Sequence, residues 1–383
     1  MKQGWEYKKL GEVCETSSGG TPSKSKKDYY EGGNIPWLRS GEVAQGLIYQ
    51  SELFITEKGL NNSSAKLFPI DTIVLAMYGA TVGQVGLLKR EMATNQAICG
   101  IFPNKSFIPM FLLYSLRAKK PFFMKDAVGG AQPNISQSLI KNTPIPIPPL
   151  SEQQQIVEEL DLLSSIIEKK KEQLKELDNL AQSIFYDMFG DPITNEKGWE
   201  IKKLGDFISS AKTIKNAEGL PLPILSITMR NGIIRQSDRF KKVIASKNTS
   251  TYKIVKRGQL VIAFPIDEGL IYIQDIVDEG IMSPAYNIWN VDYSNMNKTF
   301  FVWHLHSNYA MTYYKDKLQG TTQRRRSLTK EDLLDVLVPL PPLSIQKKFE
   351  DKIQFINYQK GMIRHSIKEL EALFHNKMDY YFN

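Results

Sequence analysis

The sequence predicts an α/β (α+β) protein in which two similar globular domains are separated by two long antiparallel coiled-coil helices, a pseudo-two-fold internal repeat. The first observation behind this prediction is that two landmarks recur. GWEYKKLGEV at 4–13 returns as GWEIKKLGDF at 198–207, and PPLSEQQQIVEEL at 148–160 returns as PPLSIQKKFEDKI at 341–353. The offsets are 194 and 193 residues, a spacing that chance similarity would not keep. The chain is therefore a tandem duplication of one globular segment followed by one long helix.

The second observation is a 4,3 alternation of apolar residues after each second landmark. A period of 3.5 residues kept over four heptads is typical of a coiled coil. Two such helices in one chain are expected to pack on each other, antiparallel if a two-fold axis relates the repeats. The predicted seam contains Ile156, Leu160, Leu163, Ile167, Leu174 and Leu177 in the first helix and Phe349, Ile353, Ile356, Ile363, Ile367 and Leu370 in the second.

Further apolar residues lie beside the first seam. They predict that the helix pair is not fully covered by its own chain and accepts helices from a partner. These residues are Val157, Leu162, Ile166, Leu180 and Phe185.

The ends of the first helix follow from standard capping signals. Ser151 is a natural N-cap, and Gln154 completes a capping-box pattern. Gly190 is a typical residue just beyond a helix. These signals predict a helix of about 38 residues, or about 57 Å. In the second copy, Lys347 replaces Gln154 and Gly361 lies inside the helix, so the first helix is expected to begin more firmly and the second to be softer.

The repeat predicts four segments: a globular domain at 1–150, a central helix at 151–190, a second globular domain at 191–342 and a C-terminal helix at 343–383. The first globular segment has 17 Lys and Arg against 11 Asp and Glu, and the second has 21 against 16. The central helix is acidic, with 4 against 9. Basic segments suit a polyanion such as DNA or RNA, although a modest excess of lysine is common in soluble proteins.

Both globular segments are expected to combine short strands with a few helices. Apolar runs at 73–77 and 260–264 follow turn signals and predict strands. Amphipathic patterns at 107–118 and 298–309 predict helices. Beyond these landmarks the two segments diverge in sequence, which favours two domains that do the same work on different targets.

Polar loop residues in both segments are candidates for contact with nucleic acid. A Gly-rich, basic stretch with aromatics at 18–30 suits phosphate contact, although a flexible surface loop has the same composition. Amides can read adenine edges, and arginine can read guanine or bind phosphate. The candidates are Lys24, Lys26, Lys27, Tyr29, Arg39, Tyr78, Thr81, Gln84, Asn95, Gln96, Gln132 and Asn134 in the first segment and Arg230, Arg235, Tyr286, Asn287, Gln323, Arg324, Arg325 and Arg326 in the second.

The sequence predicts no catalytic residues, no metal site and no cofactor. The glycines at 18–26 lack the ending of a phosphate-binding P-loop, and Gly79, Gly83 and Gly86 have the wrong spacing for a dinucleotide fingerprint. The two cysteines have no metal-ligand spacing and suit a cytosolic protein. No apolar run is long enough to cross a membrane.

Several of these motifs together resemble one known family. They are the twin GWE-x-KKLG openings, the stretch SGGTPS…YYEGGNIPWLRSGEV, the turn YGATVGQVG and the twin P-x-PPLS-x-Q junctions. This combination, over essentially the whole chain, resembles the specificity subunits of type I restriction–modification systems. The resemblance implies that 1–150 and 191–342 are target-recognition domains, and that the helices set the gap between two half-sites. It implies recognition of a bipartite, asymmetric sequence in double-stranded DNA.

The resemblance also implies partners in the prokaryotic cytoplasm. These are two methylation subunits, which carry S-adenosylmethionine chemistry, and restriction subunits, which carry ATP-driven translocation and cleavage. Two other functions fit the same sequence features: a stand-alone two-domain DNA-binding regulator, and a coiled-coil scaffold that binds protein instead of DNA. A regulator is expected to bind its sites alone, whereas a specificity subunit requires its methylation subunits.

Overall fold

The computed structural model describes residues 4–125, 134–229, 231–239, 249–318 and 328–383. The chain forms two compact units, here called unit 1 (Met1–Glu172 with Arg364–Asn383) and unit 2 (Gln173–Ile363). Each unit therefore contains one globular part and a length of both long helices. Because this division cuts the helices near their middles, the segment boundaries at 150, 190 and 342 stay a prediction.

Unit 1 mixes short strands with short helices before the first long helix. Its strands are β1 (Glu6–Lys9), β2 (Thr16–Ser18), β3 (Ile35–Leu38), β4 (Leu47–Ile48), β5 (Phe54–Ile55), β6 (Leu67–Phe68), β7 (Ile73–Ala76), β8 (Val85–Leu88), β9 (Met92–Thr94), β10 (Ile98–Ile101) and β11 (Pro144–Ile147). Its helices are α1 (Leu10–Val13), α2 (Glu57–Asn61), α3 (Pro109–Ala118), α4 (Lys120–Lys125), α5 (Gln137–Asn142) and the first part of α6 (Leu150–Phe189).

A five-stranded sheet of order β2-β10-β7-β8-β4 lies at the centre of unit 1. Successive residues of a strand point to opposite faces, so a strand covered on both faces is apolar throughout. On β7, Ile73 and Leu75 pack in one core with α3, while Val74 and Ala76 pack in a second core. A four-stranded sheet of order β5-β3-β9-β6 and the pair β1-β11 complete the unit.

Unit 2 has the same kinds of element. Its strands are β12 (Glu200–Lys203), β13 (Ile208–Ser210), β14 (Leu225–Thr228), β15 (Gly232–Arg235), β16 (Lys253–Lys256), β17 (Leu260–Ile262), β18 (Ile271–Ile273), β19 (Glu279–Met282), β20 (Asn287–Val291) and β21 (Leu337–Leu340). Its helices are α7 (Gln236–Arg239), α8 (Lys298–Leu305), α9 (Asn308–Lys317), α10 (Lys330–Leu334) and part of α11 (Leu343–Phe382). The helix predicted at 298–309 is therefore two helices, because the first ends at Leu305 and Ser307 caps the second.

The central sheet of unit 2 repeats that of unit 1. Its order is β13-β20-β17-β18, which matches β2-β10-β7-β8, and the neighbouring strands are antiparallel in both. The pair β12-β21 likewise repeats β1-β11. On β17, alternate residues again pack in two different cores. The predicted fold class, with its internal repeat, is confirmed.

The long helices α6 and α11 have 40 residues each. The predicted end of α6 is correct, because the helix stops at Phe189 and Gly190 has a φ of 69°. The predicted start is wrong. Helix α6 begins at Leu150, so Ser151 lies inside the first turn, and the Gln154 amide donates to Glu158 instead of a capping group. Helix α11 begins at the equivalent Leu343, so the two starts match.

A buried glutamine, the last residue of each PPLS-x-Q junction, fixes the start of each long helix. In unit 1, Gln153 Oε1 accepts from Ile108 N at 2.8 Å, and its Nε2 donates to Ser106 O and Pro148 O at 2.9 and 3.0 Å. In unit 2, Gln346 makes the same three bonds. It accepts from Asn297 N at 2.7 Å and donates to the carbonyls of Asn295 and Pro341. The repeated junction is therefore a clamp between a long helix and the loop before α3 or α8.

Within each unit, the two long helices run antiparallel. In unit 1, Lys377 pairs with Glu159 at 2.7 Å and Glu371 pairs with Lys171 at 3.5 Å, so one helix ascends as the other descends. In unit 2, Lys360 pairs with Asp178, and Phe349, earlier on α11, packs against Phe189, later on α6. Every predicted seam position is buried or half-buried: Ile156, Leu160, Leu163, Ile167, Ile367 and Leu370 in unit 1, and Leu174, Leu177, Phe349, Ile353, Ile356 and Ile363 in unit 2.

Of the five apolar residues beside the first seam, two are buried and three remain at least partly exposed. Val157 and Phe185 are buried against the globular parts of their own units. Leu162 and Leu180 are 61% and 49% exposed, and Ile166 is half-buried. No helix in the described part of the chain is both long and apolar enough to span a membrane.

Candidate nucleic-acid interface

Five of the predicted residues of unit 1 meet around a cavity of about 550 Å³, here called the Arg39 cavity. It lies where the loop after β2, the end of β3 and the loop after β9 come together. The predicted residues that line it are Lys24, Lys27, Arg39, Asn95 and Gln96. Thr21, Tyr30, Glu31, Trp37 and Leu53 complete the lining.

Two carboxylates hold the side chain of Arg39. Its Nη2 donates to Glu52 Oε2, and its Nε lies 3.7 Å from Glu42 Oε2. Glu42 is only 7% exposed, and it is fixed by the backbone N–H groups of Arg39 and Glu52, both at 2.9 Å. The guanidinium is therefore held in place, although the side chain remains 47% exposed.

Two aromatic rings form a rigid wall of the cavity. The Trp37 indole donates from Nε1 to Gly20 O at 3.0 Å, and the Tyr30 hydroxyl donates to Pro22 O at 2.6 Å. The two rings meet edge to face, with centroids 6.0 Å apart. Partial burial raises the pKa of the Tyr30 hydroxyl. The wall is thus apolar on its surface and anchored from behind by hydrogen bonds.

The Gly-rich stretch that precedes the basic loop does not form a phosphate-binding cradle. The N–H groups of Gly19 and Gly20 are already bonded to Ile98 O and Thr94 O, at 3.1 and 2.8 Å. A Cβ on Gly19 would lie 2.1 Å from Thr94 Oγ1, and one on Gly20 would lie 2.2 Å from the Ser64 backbone. Glycine is required at these two positions because two backbone segments approach closely.

The basic loop itself divides into supporting and exposed residues. Tyr29 is only 4% exposed, and its hydroxyl accepts from Lys26 Nζ at 3.0 Å. That bond raises the pKa of the Lys26 ammonium. Tyr29 therefore stabilises the loop and does not present its ring to a ligand, contrary to the prediction. Lys24 and Lys27 are exposed at the rim of the cavity.

A second group of predicted residues lies at the turn after β7. Tyr78 and Asn134 form an isolated backbone bridge, which brings residues far apart in sequence side by side. Both are exposed, and Thr81 and Gln84 are half-buried on the same turn. Gln132 lies outside the described residues.

In unit 2 the described candidates do not converge. Arg235 is exposed at the end of β15, and Asn287 lines a separate cavity of about 240 Å³ with Phe264, Trp289 and Lys330. Tyr286 is half-buried, which raises the pKa of its hydroxyl, and its carbonyl accepts from Lys253 at 2.6 Å. Arg230, Gln323, Arg324, Arg325 and Arg326 lie outside the described residues.

Sequence reasoning missed the residues that support Arg39. Glu42 follows it by three residues and lies inside the short helical turn Ser40–Gln45, a spacing that could have indicated a local contact. Glu52 and Trp37 gave no such signal, because their roles depend on the tertiary fold of the loops. Among the described residues, no group of three or more His, Cys, Asp or Glu side chains is arranged to hold a metal ion.

The amino-terminal part of the chain matches a known domain family. Residues 2–178 match the model described as "Type I restriction modification DNA specificity domain". This range covers the globular part of unit 1, including the Arg39 cavity, and most of α6.

Curated relatives extend the similarity to nearly the whole chain. The chain is 28% identical to the type I restriction enzyme MjaIX specificity subunit of Methanocaldococcus jannaschii, over 94% of this chain and 89% of that protein. It is 30% identical to the EcoR124I/EcoR124II specificity subunit of Escherichia coli, over 42% of this chain and 41% of that protein.

Solved structures share the fold at lower identity. A chain from a study of complex assembly and conformational transition of the type I R-M system has a TM-score of 0.66 at 19% identity, covering 100% of this chain and 98% of that one. The S subunit of a type I system from M. genitalium has a TM-score of 0.53 at 14% identity, with the same coverage. At these identities the likeness shows the fold.

Proposed function

The chain belongs to the specificity subunits of type I restriction–modification systems, and from this premise we propose that its two units each read one half of a bipartite, asymmetric DNA sequence. The chain supplies recognition, and the chemistry resides on partner subunits. The proposal therefore assigns no catalytic residue, metal or cofactor to this chain.

The observation that carries the proposal is the duplicated frame with divergent loops. Both units have the same four-strand order and the same glutamine clamp. The polar side chains on their loops differ, because unit 1 gathers its candidates around the Arg39 cavity while Asn287 lines a different kind of cavity in unit 2. Two copies of one frame with different loops suit two half-sites of different sequence.

The long helices have the second part of the proposed function. Each has 40 residues, about 60 Å of helix, with a seam that stays covered along its length. A coiled pair of this length is stiff compared with a loop linker. We assign to it the setting of the number of base pairs between the two half-sites.

The partners are proposed from apolar residues that the helices leave exposed. Leu162 and Phe355 are 61% and 64% exposed, and Leu180 and Leu373 are 49% and 43% exposed. Each pair is related by the repeat offset of 193 residues. Equivalent exposed apolar positions in two copies favour two copies of one partner. That partner is the methylation subunit, which carries S-adenosylmethionine; restriction subunits, which use ATP, join this assembly in the cytoplasm.

Methylome sequencing tests the function directly. DNA from prokaryotic cells that carry this gene with its methylation genes is compared with DNA from cells lacking only this gene. The proposal expects one methylated motif with two defined halves and a fixed spacer, present only with the gene. A motif that persists without the gene would contradict it.

The stand-alone regulator predicts a different outcome. It would protect a specific site from nuclease without methylation subunits, whereas the proposed subunit protects its site only in the assembled complex. The exposed apolar residues on the helices favour the subunit, because a stand-alone regulator would have no partner to cover them.

A further inference from the structure

We propose that Arg39 reads a guanine edge in the half-site recognised by unit 1, and that Glu42 and Glu52 hold its guanidinium for this contact. The inference rests on the proposed function of unit 1. It deepens that function by naming one specificity-determining residue and the base that it recognises.

Glu42 and Glu52 restrict the guanidinium of Arg39 before DNA binds. Arginine loses considerable rotamer freedom when it binds, and a fixed fork loses less. Here Glu52 and Glu42 each contact a different nitrogen of Arg39, and the nearly buried Glu42 is held by two backbone N–H groups. The buried Glu42 therefore gives the guanidinium a fixed neighbour, while Glu52 is 71% exposed and about half of the Arg39 side chain remains accessible.

The charges around Arg39 favour contact with a base over contact with a phosphate. Two carboxylates compensate the charge of Arg39, and Glu31 lines the same cavity, so a phosphate placed there would meet nearby negative charge. The guanine edge carries no net charge, and its O6 and N7 acceptors match the guanidinium fork. This local charge balance favours the base.

The lysines at the rim of the cavity suit a different contact from that of Arg39. Lys24 and Lys27 are exposed at the same cavity and have no carboxylate partner among the described residues. Such lysines suit phosphate, a contact that positions a protein on DNA without reading sequence. Arg39, paired with Glu42 and Glu52 at the same cavity, then supplies the sequence-dependent contact.

The remaining N–H groups of Arg39 allow it to distinguish guanine from other bases. Among the described residues, the Arg39 N–H groups not directed at Glu42 or Glu52 contact no other protein acceptor. A guanine satisfies them, whereas a base without two acceptors on that edge leaves donors unpaired when water is excluded. The cost of the wrong base therefore falls on a single base pair.

The test uses the full chain assembled with its methylation subunits and a pool of DNA duplexes of random sequence. Arg39→Lys keeps a cation beside Glu42 but removes the fork. We expect the preference for guanine at one base pair to fall about 10- to 100-fold. The other positions of the motif and the salt dependence of binding should stay as in the wild type, because the charge is retained.

Two further variants sharpen the result. Glu52→Gln removes one of the two carboxylates that hold Arg39, and it should reduce the preference at the same base pair by a smaller factor. The matched control is Arg90→Ala, which removes an exposed arginine of unit 1 that does not line the cavity. It should leave the motif unchanged.

The proposal is overturned if Arg39→Lys and Glu52→Gln both select the full wild-type motif. It is also overturned if Arg39→Ala weakens every sequence alike and lowers the salt slope by about one, the behaviour of a phosphate contact. Failure of the proposed function is a separate outcome, since the wild-type complex would then select no motif at all.

Discussion

Unit 1 and unit 2 are two versions of one frame, and they differ mainly where loops leave it. Both have the same four-strand sheet order, the same terminal strand pair and the same glutamine clamp. Unit 1 adds β4 to its central sheet and a second, four-stranded sheet, whereas unit 2 adds the separate pairs β14-β15 and β16-β19. The two units thus share the central sheet, the strand pair and the clamp, and they differ in the strands and loops attached to these.

In a duplicated chain, contacts that both copies share indicate the frame, and residues outside it indicate function. Residues that make the same contacts in both units, such as Gln153 and Gln346, serve the frame. Residues such as Arg39, which lines the cavity of unit 1 outside the shared frame, are candidates for specificity. Unit 2 has its own arginine paired with two carboxylates, Arg257, at a different place in the fold.

The largest effect is expected from shortening both long helices by one heptad. Deleting residues 170–176 and 363–369 keeps the apolar seam in register and removes about 10 Å of helix. If the units are separate readers on one spacer, the half-sites stay the same and the gap between them shortens by about three base pairs. Methylome sequencing measures both, and methylation of the original motif is lost.

A spacer of unchanged length would contradict the assigned role of the helices. Changed half-sites with an unchanged gap would instead show that the deletion disturbed the recognition surfaces. The control is a variant that alters the helix without altering its length, for which Gly361→Ala serves.

The second effect concerns the equivalence of the two exposed apolar positions. Leu162→Asp and Phe355→Asp place a charge at repeat-related sites on α6 and α11. Each single variant is expected to retain one methylation subunit in place of two, and the double variant none, because an aspartate buried in an interface is costly. Mass measurement of the purified complex counts the subunits.

Unequal subunit counts for the two single variants would show that the two helices differ at this interface. If Leu162→Asp removes a subunit and Phe355→Asp does not, the two copies have diverged on the helices as well as in the loops. Two bound subunits in the double variant would exclude these residues from the interface. The exposed glutamate Glu172, changed to aspartate, is a control that keeps the charge pattern.

How much the sequence could predict depended on the range of the interaction. The seam followed from a period of 3.5 residues, and the end of α6 followed from Gly190, because both signals are local. The predicted start of α6 was wrong. Ser151 is able to cap a helix, but the chain already turns at Pro149, whose carbonyl accepts hydrogen bonds from the N–H groups of Glu152 and Gln153. Local rules identify the residues that are able to cap, and tertiary contacts decide which position they occupy.

The candidate site was predicted only in part, for the same reason. Residue types that suit nucleic acid placed Arg39, Asn95 and Gln96 among the candidates, and the structure brings these three around one cavity. The carboxylates that hold Arg39 could not be predicted, since Glu52 lies thirteen residues away across a loop. Tyr29 was a candidate because it is an aromatic residue in a basic loop, but it is only 4% exposed.

A moderate effect is expected when either clamp is removed. Gln153→Ala and Gln346→Ala each leave a backbone N–H and two carbonyls without their partner in a buried place. The free energy of unfolding is expected to fall by about 2 to 3 kcal/mol for each variant, because a buried polar group without a hydrogen-bond partner keeps its full desolvation cost. Chemical denaturation of the full chain measures it, and similar losses would confirm that the clamps are equivalent.

The neighbouring glutamine is the matched control for this pair. Gln154 is exposed, and among the described residues its side chain bonds Glu158 alone, so Gln154→Ala should change the free energy of unfolding by less than about 0.5 kcal/mol. A clamp variant that behaves like this control would show that the three bonds are not needed for the start of the helix.

The smallest effect concerns the glycine that distinguishes the two helices. Gly361 lies inside α11, and a Cβ added to it would meet no atom of a neighbouring element within 4 Å, while the equivalent residue of α6 is Glu168. Gly361→Ala should therefore raise the free energy of unfolding by about 1 kcal/mol, since alanine costs less backbone entropy in a helix. Glu168→Ala, the control in the other copy, should change it by less than about 0.5 kcal/mol, because its pair with Lys171 is exposed. A neutral Gly361→Ala would mean that α11 bends or opens at this residue, and that the two helices differ in shape and not only in sequence.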